Sequence, residues 1–213
     1  RWDGAPDGPR VLHAAVPMTA PGLRIEKTWD TLGLRATGSH TVVLDDVFVP
    51  DAAVSLSRPA DAWHPVWNAV LGSAMPLILS AYLGIGDAAV ERARGAAAER
   101  PAPHVFPLLG EMLNAHVTAV DAVAAMYRDA DDLRFAATDE HASRTLSRKT
   151  VATDALVQTV RLAIEVTGGA GYTRGLDLER LYRDVHGALF HPLPRARQTV
   201  FTARVALGLS PVG

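Results

Sequence analysis

Three groups of residues have types and spacings that bear on chemistry. The sharpest is Gly168-Gly169-Ala170-Gly171-Tyr172. Closely spaced glycines let backbone N–H groups converge on an anion, and a helix start beyond them adds a favourable dipole. These glycines follow a helical pattern rather than a strand, so the dinucleotide-fold fingerprint is not met. Two readings stay open on the residues alone: a phosphate cradle, and a plain helix C-cap with its turn. The second group is Tyr182-Arg183-Asp184, where Arg183 is placed to pair with Asp184 or with a backbone carbonyl, and a structural charge pair on a helix is the simpler reading. The third is the set of eight histidines. None has metal-ligand spacing with another His or a carboxylate. His186 and His191 lie close together around Gly187, while His116 sits on the apolar stripe of a helix and reads as packing.

Composition narrows the field. The chain has 213 residues, 48% of them hydrophobic, which is enough for one sizeable core and one or two domains. A net charge of −2 without a basic stripe gives no footprint for nucleic acid or an anionic membrane. There is no cysteine, which excludes disulfides, thiolate nucleophiles and cysteine zinc sites, and which is compatible with a cytoplasmic protein. No Gly-x-Ser-x-Gly elbow or Walker motif supports a hydrolase or an NTP-binding protein. The chain opens on Arg1 without a secretory-leader pattern and reads as a piece or processed form of a longer chain.

The elements that must position these residues change character along the chain. Residues 10–50 read as strands: Leu23 and Ile25 alternate with Arg24 and Glu26, Pro21-Gly22 is a turn, and Thr41 to Val49 is β-branched and apolar around Asp45-Asp46. Residues 51–63 read as a linker. Val66 to Gly86 carries no charge. Its length would span a membrane, but Asn68, Ser73, Pro76 and Ser80, and the charged run that follows, favour a helix buried in a bundle or oligomer. Further helices are expected from Val105 to about Arg134, from about Ala142 to Val166 with Gly168-Gly169 as its end, from Leu176 to His186, and from near Pro194 to before Pro211. The expected fold class is therefore α+β and mainly α: the end of an antiparallel β-domain over 1–53, then a helix bundle over 54–213.

Three segments together resemble the acyl-CoA dehydrogenase superfamily. Trp29-Asp30-Thr31-Leu32-Gly33-Leu34-Arg35-Ala36-Thr37-Gly38-Ser39-His40, running into Val43 to Pro50, resembles the strand pair that closes the family's middle β-domain. Glu165-Val166-Thr167-Gly168-Gly169-Ala170-Gly171-Tyr172 resembles the turn that contacts FAD bound by a neighbouring subunit. Arg180-Leu181-Tyr182-Arg183-Asp184 resembles the helix before the catalytic loop. The resemblance implies a flavoprotein oxidoreductase acting on an acyl-CoA or related small molecule, assembled as a homotetramer or with a related subunit, and without a membrane span. It implies FAD, with FMN as the alternative, contacted by Glu165, Thr167, Gly168, Gly169, Ala170, Gly171 and Tyr172. It also implies that the family's N-terminal helical domain and the first half of its β-domain precede Arg1.

The departures from the family pattern are specific. Family dehydrogenases place a catalytic Glu about eight residues after the Arg-Asp pair, which falls here on Pro192. Some branches place it on the first bundle helix, where this chain has Ser73-Ala74-Met75. The Arg-x-x-Phe-Gly signature is weakened to Glu99-Arg100-Pro101-Ala102-Pro103. Flavin-dependent monooxygenases of the same fold have a His near this loop, and His191 falls in that place. His191 is therefore the catalytic candidate, with an unperturbed imidazole suited to base action near neutrality. Three functions remain open: an acyl-thioester dehydrogenase with a displaced base, a monooxygenase, and a non-catalytic subunit.

Overall fold

The computed structural model describes residues Arg1–Val212, which fall into two compact units. One comprises 1–31 and 35–64. In it β1 (Arg10–Ala14) pairs antiparallel with β4 (Val54–Pro59), and β2 (Leu23–Glu26) pairs antiparallel with β3 (Thr41–Leu44). The β2–β3 register sets Ile25 opposite Val42 and Leu23 opposite Leu44. β3 stops at Leu44, short of the expected Val49, because the chain turns at Asp45-Asp46 with Asp46 in the left-handed region (φ 50°).

The expected domain boundary at 53/54 is displaced. Residues 54–59 are not a linker or part of the bundle. They form β4, in which Val54, Leu56 and Arg58 are the more sheltered residues and Ser55, Ser57 and Pro59 are exposed. The period-two signal was present in the sequence, but Pro59 and the flanking aspartates masked it. Pro59 is tolerated because it ends the strand.

The second unit holds 32–34 and 65–212. Its long helices are α1 (Val66–Glu99), α2 (Val105–Ala130) and α3 (Asp139–Thr167), which pack on one another. The short turn α4 (Gly169–Tyr172), α5 (Leu178–Val185) and α6 (Arg195–Ala206) follow. α1 is long and apolar enough to cross a membrane by length and composition alone. Its face bearing Leu71, Met75, Leu79, Tyr82, Ala89, Val90 and Ala93 is instead buried within the bundle. Across from it lie Met112, Val123 and Met126 of α2 and Leu146, Leu156 and Val160 of α3, likewise buried. Asn68 is buried where α1 begins, and its side-chain amide donates to Asp139 Oδ1 (2.7 Å) and the Ala137 carbonyl (3.2 Å).

Helix ends differ from the sequence expectations for local reasons. α2 stops at Ala130 because Asp131, Asp132 and Leu133 all take positive φ, so the chain cannot continue as a right-handed helix. α3 starts at Asp139 because Thr138 caps it, its hydroxyl oxygen accepting from the His141 amide at 3.2 Å. Gly168 ends α3 as expected, at φ 59°.

Candidate functional site

The predicted site residues lie on two separate parts of the helical unit. The first is the turn after α3. Gly168, Gly169 and Ala170 are exposed, and a Cβ built on Gly168 or Gly169 would meet nothing within 4 Å. The backbone there is open to a ligand. Tyr172 stands almost wholly in solvent. Glu165 is ion-paired with Arg161, one turn before it. Thr167 turns its hydroxyl back onto its own helix, donating to the Ala163 and Ile164 carbonyls at 2.9 and 3.0 Å. Gly171 is buried, and a side chain there would collide with Thr167 Oγ1, so this glycine makes the turn compact.

The second part surrounds His191, on the loop between α5 and α6. The imidazole Nε2 lies 2.7 Å from the phenol oxygen of Tyr82, a buried residue of α1. The rings meet edge to face, with centroids 5.4 Å apart. Burial pushes the Tyr82 phenol up to about 12, and the nearby Asp184 carboxylate adds to this. Burial pushes His191 below its ordinary value, and the Lys149 ammonium pushes it further in the same direction. The imidazole is therefore neutral at pH 7.

Neighbouring groups fix this pair. Lys149 is 2% exposed on α3, and its ammonium donates to the Leu193 carbonyl at 3.3 Å, two residues beyond His191. Gly187 lies under the phenol: a Cβ there would come 2.7 Å from Tyr82 Oη and 2.6 Å from Leu34 Cδ1. Leu34 is held in turn, since its amide donates to Asp184 Oδ1 at 2.7 Å. The Arg183 guanidinium reaches the Leu32 carbonyl at 3.3 Å and pairs with Glu179 at 2.8 Å. The sequence offered Asp184 or a backbone carbonyl as partner for Arg183, and the structure takes the carbonyl. Asp184 instead pairs with Arg180 at 3.0 Å and anchors Leu34. Gly33 completes the contact, because any side chain there would strike the Arg183 carbonyl.

Neither position expected for a family base carries a carboxylate. Pro192 adjoins His191, and Ala74 sits between Ser73 and Met75 on α1. Sequence reasoning missed Tyr82 and Lys149. Tyr82 is the one ionisable residue in the stretch from Val66 to Gly86, and Lys149 stands four residues before Thr153 on the apolar face of α3. A titratable group in an otherwise apolar register was the available signal for both.

The model for the C-terminal domain of acyl-CoA dehydrogenases matches residues 66–190, more than half of the chain. The chain belongs to the acyl-CoA dehydrogenase family. Curated relatives include a putative acyl-CoA dehydrogenase, YdbM, of Bacillus subtilis, 31% identical over 189 residues, covering 81% of this chain and 46% of the relative. The amino sugar nitrososynthase DnmZ of Streptomyces peucetius is 30% identical over 216 residues, covering 93% of this chain and 52% of the relative. Among solved structures, KijD3 in complex with FMN and a dTDP-amino-keto sugar is 28% identical with a TM-score of 0.82, covering 98% of this chain and 54% of that one. A nitrososynthase from Micromonospora carbonacea var. africana is 29% identical with a TM-score of 0.83, covering 96% of this chain and 55% of that one. The chain thus spans about half the length of the curated relatives it matches.

Proposed function

We propose that this protein is a flavin-dependent oxidoreductase of the oxygenating kind, which uses reduced flavin and dioxygen to oxidise a small molecule. The observation that carries the reading is the His191–Tyr82 pair beside the family's base position, where a carboxylate would otherwise stand. A dehydrogenase must remove an α-proton from its thioester, and neither Pro192 nor Ala74 can accept one. A neutral imidazole held edge to face by a buried phenol suits a group that orients or donates to a polar reactant. The relatives named as nitrososynthases, and the monooxygenase oxygenase subunit HsaA of Rhodococcus jostii at 29% identity, support this reading. An amine-bearing substrate, such as an amino sugar, is the class we favour. Acyl-thioester dehydrogenation is the second reading, favoured by the similarity to YdbM.

The turn after α3 fits a flavin contact, because the open backbone of Gly168, Gly169 and Ala170 leaves room for a pyrophosphate and the Tyr172 ring is free beside it. Bound FAD or FMN would supply the electron transfer and oxygen activation. The chain's own residues would anchor it, orient the substrate through His191, and keep the Tyr82 side dry. The exposed apolar row on α1, with Val70 and Leu77, supports assembly of helical units into an oligomer.

One experiment separates the two chemistries. The full-length, flavin-loaded protein is mixed anaerobically with a panel of saturated acyl-CoA thioesters, and flavin absorbance is followed. In parallel it is supplied with a flavin reductase, oxygen and amino-sugar nucleotides. We expect no bleaching in the first arm and oxygen-dependent product in the second. Rapid bleaching by a thioester would overturn the oxygenase reading.

A further inference from the structure

We propose that Tyr82 is the positioning residue of this site: its phenol donates to His191 Nε2, fixes the imidazole as the Nδ1–H tautomer, and makes His191 a hydrogen-bond donor rather than a base. The inference takes from the function proposed above only that His191 faces the reacting groups.

The 2.7 Å contact is compatible with two directions of donation. In one, His191 Nε2–H donates to the phenol oxygen, and the phenol proton then needs a second acceptor. Tyr82 is 3% exposed, and among the described residues its oxygen has no hydrogen-bond partner other than His191. That direction buries an unpaired O–H, which proteins avoid. In the other direction the phenol donates to Nε2, and every buried polar atom of the pair is satisfied. The ring proton then sits on Nδ1, which makes no hydrogen bond among the described residues. The second ring nitrogen of a histidine is commonly set by the bond that the first one makes.

Protonation does not undo the arrangement at neutral pH. An imidazolium would donate from Nε2 and return the phenol proton to the orphaned state, and it would form in a buried place near the Lys149 ammonium. The phenol resists ionisation, because burial and Asp184 both favour its neutral form. With Nε2 occupied by Tyr82 and Nδ1 protonated, His191 has no free lone pair with which to take a proton. It can only donate, and it does so from a ring whose angle is set by α1 on one side and by the Lys149–Leu193 bond on the other. A donor of this kind stabilises negative charge that develops on a polar reactant oxygen or nitrogen.

The test uses the full-length protein labelled with 15N at the histidine rings and solid-state NMR at pH 7.5. His191→Gln assigns the His191 resonances by difference. The expected spectrum has a protonated Nδ1 and an unprotonated, hydrogen-bonded Nε2. In Tyr82→Phe, which keeps the ring and its packing, the Nε2–H form should appear, with unchanged helical circular dichroism. A protonated Nε2 in the wild type, or a spectrum indifferent to Tyr82→Phe, would overturn the proposal. Turnover is the second readout: Tyr82→Phe should lower kcat roughly tenfold or more with KM held, below the ~10²–10⁴-fold that a proton-handling group supplies. A changed tautomer with unchanged kcat would overturn the functional half. Because the spectra need no substrate, they decide the tautomer even if the oxygenase reading fails.

Discussion

The β unit and the helical unit are built from similarly apolar sequence but bury it to very different extents. In the helical unit Leu79, Met112, Leu146, Leu156 and Val160 are at 0% exposure. Among the described residues of the β unit the one buried apolar residue is Ala5, while Ile25, Val42, Leu44 and Phe48 are all half or more exposed. Two-stranded antiparallel ladders are marginal unless a further layer covers them. The lesson is that a helix bundle of three long elements closes its own core, whereas these two ladders hold register through backbone pairing and leave their apolar faces uncovered.

The largest test of this contrast is Leu156→Ala. Leu156 is fully buried on α3 and lies against Gly86 of α1. Loss of its side chain should cost about 2–5 kcal/mol, lost transfer energy and residual cavity together, read from urea unfolding followed by helical circular dichroism. A cost below about 1 kcal/mol would mean that the bundle is not the stable unit.

Next in size is pH dependence. Burial pushes His141 and His191 below the ordinary imidazole value, His141 with added effect from Arg144 and Arg148. The unfolded chain binds a proton at each near pH 6.5, and the folded chain resists it. Below that value the unfolded state holds more protons, so stability is present above about pH 6.5 and declines as pH falls below it. Carboxylates lowered in the fold, such as Asp177 beside Arg180, act only below about pH 4 and do not confuse the measurement. Urea midpoints at pH 7.5 and 5.5 should differ in this direction. A flat profile would show that these imidazoles are more solvated than their packing implies.

The smallest effect is expected at Ile25→Thr in β2. The side chain is already exposed and threonine keeps the β-branch, so the change should stay within about 0.5 kcal/mol by the same unfolding assay. A larger loss would reveal that something covers this face in solution.

The fold was legible wherever one periodicity ran uninterrupted. The helical period of α2, with Met112 and Val123 among its buried residues, and the Gly168 stop of α3 came directly from residue spacing. The uncharged run that opens α1 marked a bundle helix, of which one face is buried here while Val70 and Leu77 stand exposed. Boundaries set by single-residue conformations were less visible. Nothing in Asp131-Asp132-Leu133 announces three consecutive positive φ values. Thr138 followed by Asp139-Glu140 did carry a cap signal, which the helical pattern from Ala142 onward obscured. For the site, the glycine turn stood out by its spacing and His191 was singled out by the family resemblance. Tyr82 could not be joined to His191, because 109 residues separate them and only the packing of α1 under the α5–α6 loop brings them together.

The segment Leu32–Leu34 makes the helical unit discontinuous in the chain. The Leu34 amide meets its Asp184 acceptor across a separation of 150 residues. Closing so long a loop costs little more in equilibrium stability than closing one half as long, but contacts between distant residues slow folding. On the ribosome Leu34 emerges long before Asp184 exists, so this contact can form only after a further 150 residues have been made. An excised bundle beginning at Pro65 would lack Leu34 altogether, leaving Asp184 Oδ1 without that donor and removing the side chain that lies beside Gly187 under the Tyr82 phenol.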